Sequence, residues 1–574
     1  MGGTRKKQTV SLCMIVKNEE YYLPQCLDSV QGVVDEIIVV DTGSDDRTVE
    51  IAEEYGCRVY HHAWEGDFSK ARNYSLSYAT SDWILVMDPD EKLEREDIPK
   101  INQALSRTDI DVVFVAIMNE TPVGWTKHYS QRFFRRGIAE YRGIVHNQLF
   151  YKGREFRTEI VIYHWGYNLS PEQMEKKFLR TKALLLKQLE EDSTDPFAYM
   201  NYVRLLKSQK KYEETRDAGL KGLELTQKRI IPPIRQMIVY DTVCALIELG
   251  EYQKAEEMAR EICNEFPDNL DMCYGLGHAL IKQRRYQEAI VVYQRFLKIQ
   301  KTAHEKPKHS MLIVDTYTLD HRVWAIIADC YFELGVHEQG LDAALQAIAL
   351  MPEMGVYKIT AARHLMALKR IDEARTLVAE IEQSENVDET VFLKLAALCS
   401  QYPVLGAGHE VLGRGVERFP QSIELLNYFA NAMVKIDNGL TQAASVWEQV
   451  IALDPKHEQA NVGLVKAALL QHNDGKLKEF EEREKGLNLG VDVYKDMAKM
   501  AIQQHQLAFA AEMLSRAVAL NPNDLQALVD LSACYMEMEN YQAALHGFKA
   551  VLARDSANRP ALQQMAVLRE RLRT

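Results

Sequence analysis

Between Trp83 and Glu91 the chain reads Trp-Ile-Leu-Val-Met-Asp-Pro-Asp-Glu, an apolar run that stops at two aspartates one residue apart. Carboxylates are hard oxygen donors, and a pair that emerges where a parallel strand ends lies at the edge where α/β sheets collect ligands. Asp88 and Asp90 therefore suit a divalent cation that carries a phosphate. A solvated acidic turn is the competing reading of the same residues, because Asp and Pro are also common turn formers. Isolated motifs of this size do not decide between the two.

The surrounding elements favour the first reading. Val10 to Val16 is an apolar strand, Glu19 to Val30 reads as a helix with Leu23, Leu27 and Val30 on one face, and Glu36 to Val40 is a β-branched run suited to a doubly covered strand. That run ends in Asp41-Thr-Gly-Ser-Asp-Asp-Arg-Thr48, where Gly43 permits a tight turn and Ser44, Asp45 or Asp46 can cap a helix from Thr48 to Tyr55. Cys57 to His61 predicts a short strand, Ser69 to Tyr78 a helix, and Trp83 to Met87 the strand that delivers the aspartates. Strands alternating with helices imply a mostly parallel sheet with sites at the strands' C-terminal ends.

Past about residue 170 the strand signals vanish. Pro267, Pro352, Pro420, Pro455 and Pro522 close helical segments, and the steps from 352 to 420, 420 to 455 and 455 to 522 are 68, 35 and 67 residues. These are one or two units of roughly 34 residues, the tetratricopeptide period. The same offsets carry Leu276, Gly277, Tyr286, Ala289 and Tyr293 in one unit, and Leu531, Tyr535, Tyr541, Ala544 and Phe548 in another. Small residues such as Ala289 and Ala544 let two helices cross closely while a large neighbour fills the adjoining gap. Nine or ten units are expected from about 195 to 574. The longer step of 85 residues between Pro267 and Pro352 predicts a connecting loop or helical extension over Gln300 to Ser310.

The chain has 574 residues, 47% hydrophobic and 26% charged, so two or more soluble domains are expected. A net charge of −13 argues against a nucleic-acid binder that relies on a basic surface. No apolar run is long enough to span a bilayer, and Met1 to Glu20 lacks a signal-peptide core. Nine scattered cysteines, never spaced Cys-x-x-Cys, fit reduced core residues of a cytoplasmic protein.

Four segments in order, Met14-Ile-Val-Lys-Asn-Glu-Glu20, Val34 to Thr48, Phe68-Ser-Lys-Ala-Arg-Asn73 and Asp82 to Glu91, make the first part of the chain resemble a family 2 glycosyltransferase of GT-A fold. More narrowly it resembles the bacterial branch in which this domain precedes tetratricopeptide repeats, a branch that includes peptide and flagellin glycosyltransferases. The resemblance implies a GT-A domain over residues 1–170, a helical linker with a first degenerate repeat over 171–230, and a repeat superhelix over 231–574.

It also implies roles. Asp41 would accept a hydrogen bond from uracil, Glu19 would lie at the nucleoside, and Arg72 would present its planar fork to the diphosphate. Capping and a surface salt bridge are the structural alternatives for these residues. Asp88 and Asp90 become the Asp-x-Asp element for manganese or magnesium, with His164 as third ligand and His146 as its rival; a packed core histidine is the alternative reading.

An inverting transfer needs a base, yet relatives often show His-Glu where this chain has His146-Asn147, and an amide cannot accept the proton. Glu140, Glu120 and His146 are the candidates. Trp125 or Tyr129 would shape the acceptor side by stacking on a sugar, unless they only pack the core.

A repeat surface of this length suits a polypeptide acceptor. The expected reaction moves sugar from a UDP-sugar, N-acetylglucosamine ahead of glucose, to Ser or Thr of a protein such as flagellin. The alternatives are an S-glycosyltransferase of a bacteriocin-like peptide, a cell-envelope polysaccharide transferase and a non-catalytic scaffold.

Overall fold

The computed structural model describes residues 8–121, 124–144, 147–165, 171–305, 314–484, 486–487 and 489–572. The chain forms two compact units, residues 1–351 and 352–574. The first therefore includes the α/β domain together with the first helix pairs, so compactness divides the chain later than the change in sequence pattern near 170.

The α/β domain runs β1 (Val10–Val16), α1 (Leu23–Ser29), β2 (Glu36–Asp41), α2 (Thr48–Glu54), β3 (Arg58–His61), α3 (Phe68–Ser77), β4 (Trp83–Val86), β5 (Glu91–Leu93), α4 (Ile98–Leu105), β6 (Val112–Thr121), β7 (Gly124–Arg135), β8 (Ala139–Arg142), β9 (Gln148–Tyr151) and β10 (Glu155–His164). Eight strands form one sheet in the order β3-β2-β1-β4-β7-β6-β10-β5, and β8 pairs with β9 in a separate ribbon. β3, β2, β1 and β4 are parallel neighbours, as the alternating pattern requires. Beyond β4 the sheet turns mixed, because β7 runs antiparallel to both β4 and β6, and β5 antiparallel to β10. The two sheet faces bury separate apolar cores. Leu12, Met14, Val39 and Leu85 belong to one, and Cys13, Ile38, Ile84 and Phe114 to the other, as alternation along fully buried strands demands.

Two boundaries shift for local reasons. The first helix starts at Leu23, since Asn18 adopts a positive φ of 57° and Pro24 suits a first turn. α3 starts one residue early because Asp67 caps it, accepting from the Ser69 and Lys70 amides.

In the first unit the helices that follow are α5 (Pro171–Glu191), α6 (Pro196–Ser208), α7 (Tyr212–Leu225), α8 (Pro232–Glu248), α9 (Tyr252–Glu265), α10 (Leu270–Lys282), α11 (Tyr286–Glu305), α12 (Asp320–Glu333) and α13 (His337–Leu350). The stretch after Gln300 thus begins as a helical extension, to Glu305.

Antiparallel helix pairs continue in the second unit from Gly355 to Arg571. Ala289 and Ala544 are fully buried. The small-against-large packing is tightest at Gly277, where an added Cβ would fall 2.4 Å from the Tyr293 ring, and at Gly463, where it would fall 2.4 Å from the Trp447 indole.

Candidate active site

The Asp88-Pro89-Asp90 segment is a tight turn, not a loose acidic loop. The Glu91 amide donates to the Asp88 carbonyl at 3.1 Å, closing a four-residue turn with Pro89 at the position whose fixed φ suits it. The Asp88 amide in turn donates to Glu91 Oε2 at 2.9 Å. Glu91 is only 3% exposed, and its other oxygen accepts from Arg132 of β7 at 2.5 Å. Burial raises the Glu91 carboxyl to about 7, against the pull of Arg132.

Arg72 of α3 meets the turn from the opposite side, donating from Nη2 to Asp88 Oδ1 at 2.6 Å. Burial pushes Asp88 up, but Arg72 and Arg132 outweigh it and hold its carboxyl at about 2. The Arg72 guanidinium also lies 5.4 Å over the Tyr141 ring. Its Nε and Nη1 are buried and have no hydrogen-bond partner among the described residues, and the same holds for Nε of Arg132. Buried guanidinium donors are costly to leave unmade, so three of them beside one aspartate turn leave room for an anion.

Asp90 is fixed by β10. Its carbonyl accepts from the Trp165 amide at 3.1 Å, and Oδ2 lies 3.3 Å from His164 Nε2. His164 Nδ1 is 2.9 Å from the Asn119 side-chain oxygen, and although burial lowers the imidazole, the hydrogen bond and charge of Asp90 raise it, so Nε2 donates to Asp90 here and would give up that proton to bind a metal. Asn119 further lies 3.1 Å from His128 Nδ1 and 3.3 Å from the Thr126 hydroxyl.

Two donor atoms 3.3 Å apart lie within a few tenths of an ångström of the roughly 3.0 Å that separates neighbouring ligands of an octahedral ion with bonds of about 2.1 Å. Among the described residues no group of three or more His, Cys, Asp or Glu could hold a metal ion. Asp90 and His164 offer one oxygen and one nitrogen to an ion, and a bound diphosphate would have to supply further ligands.

Glu19 adds to the negative field. Burial first, then Asp90 and Asp88, raise its carboxyl to about 7. Asp41 is 5% exposed and accepts from the Gly43 and Ser44 amides at 3.1 and 3.0 Å, with His61 Nδ1 at 3.3 Å. Its carboxylate therefore shapes the turn after β2.

On the other flank Trp125, Tyr163 and Trp165 form an aromatic cluster with ring centroids 5.5 to 6.2 Å apart. Tyr129 lies apart from it, 7% exposed, its hydroxyl spent on Glu159 at 2.5 Å, which is a packing position.

Of the three base candidates, Glu120 is exposed and pairs in register with Trp125. Its neighbour Asn119 contacts His164, and strand alternation puts Glu120 on the other face of β6. Glu140 pairs with Arg142 through Nε at 2.7 Å, and both are exposed. Strand alternation places them on the opposite face of the ribbon from Tyr141, which backs Arg72. His146 lies outside the described residues.

Sequence reading missed Glu91, Arg132, Asn119 and Trp165. Arg132 carried a faint signal, a charge directly beside the aromatic pair Phe133 and Phe134.

Residues 11–168 match the glycosyl transferase family 2 model, and residues 246–304 and 501–568 match a tetratricopeptide repeat model. A TPR repeat-containing protein of Synechococcus elongatus is 48% identical over 115 residues, 20% of this chain and 28% of that protein. The SPbeta prophage-derived glycosyltransferase SunS of Bacillus subtilis is 32% identical over 233 residues, 38% of this chain and 54% of that protein. An uncharacterized glycosyltransferase of Rickettsia felis is 39% identical over 89 residues, 16% of this chain and 31% of that protein. The chain thus spans between about a quarter and a half of the length of these relatives. Residues 11–168 form a family 2 glycosyl transferase domain, and the helical region that follows carries tetratricopeptide repeats.

Proposed function

We propose that the protein transfers a sugar from a UDP-sugar, N-acetylglucosamine ahead of glucose, to hydroxyls of a protein acceptor such as flagellin, in the cytoplasm. The observation that carries this reading is Arg72, which spends one nitrogen on Asp88 and keeps two buried donors that no described residue pairs beside the aspartate turn. A diphosphate supplies the acceptor oxygens that those donors lack.

Asp90 and His164 would hold a divalent ion, with Asp88 beside them, and the ion would supply charge neutralisation for the departing nucleotide. Glu91 and Arg132 keep the turn rigid beneath it. Asp41 would receive the uracil edge with its remaining lone pairs, and Glu19 would line the nucleoside side. On the far flank, Trp125 and its aromatic neighbours offer an apolar face for a sugar ring. Glu120 is the base that its exposure and its register beside Trp125 favour, and it would remove the proton from the acceptor hydroxyl. The repeats hold the polypeptide.

Incubating the protein with manganese, UDP-N-acetylglucosamine and purified flagellin should add a hexosamine mass in intact mass spectrometry. Fragmentation then assigns the linkage to Ser or Thr rather than to Cys. No mass gain with any UDP-sugar, together with no nucleotide-dependent rise in melting temperature, would reject the transferase reading.

A further inference from the structure

The inner helices of the first repeats are already occupied. α6, α8 and α10 are the first helices of successive pairs, and α8 packs against both α6 and α10 as well as against its own partner α9. First helices that contact one another in this way form the face that repeat arrays of this kind use to bind extended peptides. Across that face lies the chain's own segment Val314–Leu319, which leads into α12.

Its contacts are those of a bound peptide. Asp315 accepts from Arg204 of α6 at 2.6 Å and lies 3.3 Å from Lys207 Nζ. Both cations also pair with Asp241 of α8, a fully buried residue: Arg204 Nε lies at 3.5 Å, and Lys207 makes a closer contact. Asp271 of α10 accepts the Thr316 amide at 2.9 Å, the Thr316 hydroxyl at 2.8 Å and the Asp315 amide at 3.2 Å. Gln300 donates to the Tyr317 carbonyl at 2.6 Å. Thr316 and Leu319 are 1% and 5% exposed.

The opposite edge of the same segment grips the transferase domain. Val314 makes an antiparallel bridge to Lys127 of β7, and the Thr318 hydroxyl donates to the Trp125 carbonyl at 3.1 Å. The Lys127 ammonium lies 5.6 Å over the Tyr317 ring.

We infer that Val314–Leu319 is a permanent internal occupant of the α6, α8 and α10 face, and that it clamps the Trp125 end of β7. These helices then form a wall of the transferase site, and the acceptor polypeptide is held elsewhere on the protein. The clamp stands on contacts alone, whereas the meaning given to Trp125 rests on the transferase reading.

Hydrogen exchange on the full-length protein tests it, with UDP titration in manganese run in parallel. In Asp315→Ala, exchange should rise at least about tenfold both at 314–319 and at 125–130, with β1 and β4 unchanged and UDP affinity within about twofold. Thr318→Val, nearly isosteric, should raise exchange at 125–130 alone. Faster exchange at 314–319 with no change at 125–130 in either variant would overturn the clamp. Equally, recovery of a flagellin fragment cross-linked to α6 or α10 in the wild type would show that the face is open. Absence of UDP binding in the wild type would strike the transferase reading and leave the exchange result intact.

Discussion

Two clusters of buried charge sit in the first unit, and they are resolved in opposite ways. Around Asp315 both cations meet two carboxylates: Arg204 and Lys207 pair with Asp241 and Asp315, and Asp271 is filled by the amides and hydroxyl of Val314–Leu319, while Asp241 Oδ2 has an ion pair to Arg204 but no hydrogen bond among the described residues. Around Asp88 each guanidinium has its carboxylate but not all its hydrogen bonds: among the described residues, two nitrogens of Arg72 and one of Arg132 are buried without a hydrogen-bond partner. Raised carboxyls are common to both, since burial first of all lifts Glu19 and Glu91 at one cluster and Asp271 at the other to about 7. Saturated buried charge holds a structure together, whereas unsaturated buried charge waits for a ligand. Residue types do not separate the two clusters. Only their partners do.

Substitutions should separate them. The largest effect is expected at Asp90→Ala, which should lower transfer by at least about a thousandfold, as chelation of the metal should, while the melting temperature stays within a few degrees. Asp241→Ala should do the reverse. It leaves Arg204 and Lys207 with one partner fewer in a buried site, and the first unit should lose on the order of 3–5 kcal/mol in denaturant unfolding, with UDP affinity retained in the folded fraction. If Asp90→Ala unfolds the protein, or Asp241→Ala leaves its stability intact, the contrast between the clusters fails.

A third carboxylate calibrates the saturated class at the far end of the sheet. Glu36 is taxed by burial, yet it accepts from Ser11, Thr80 and Arg58, and these hold it at about 2. A depressed carboxyl contributes stability that is present above the ordinary value of 4.5 and lost as pH falls toward 2. Glu36→Gln should therefore cost about 3 kcal/mol at neutral pH and almost nothing near pH 2, read from urea midpoints across that range. A cost independent of pH would reject the ionised network.

Smaller again, Arg72→Lys keeps a charge beside Asp88 and loses the fork, so UDP affinity should fall about tenfold to a hundredfold while stability barely changes. Trp125→Ala should raise the acceptor KM by about fivefold to fiftyfold with little effect on UDP binding. A change confined to kcat would move Trp125 away from the acceptor.

Much of this was legible in residues. The strand over Val10 to Val16 has the bounds its apolar run predicts, and Pro267, Pro352, Pro420, Pro455 and Pro522 follow the repeats because each closes a helix pair. The family likeness of the first domain and its repeats could be read from four motifs and a period. The antiparallel half of the sheet could not, since β7 and β10 are polar and aromatic strands whose partners come from distant sequence. Glu91 and Arg132 looked like ordinary solvated charges 41 residues apart, and only the sheet brings them together. Val314–Leu319 follows a polar stretch that read as a connector, and nothing local marks it as a ligand for helices 44 to 111 residues earlier.

The central claim is that the unpaired donors at the Asp88 turn bind a nucleotide diphosphate. Calorimetric titration of UDP into the full-length protein, with and without manganese, tests it most directly. Saturable binding that needs the metal and weakens at least about tenfold in Arg72→Ala is the predicted result. Absence of binding by the wild type, or binding that Arg72→Ala leaves unchanged, would contradict it.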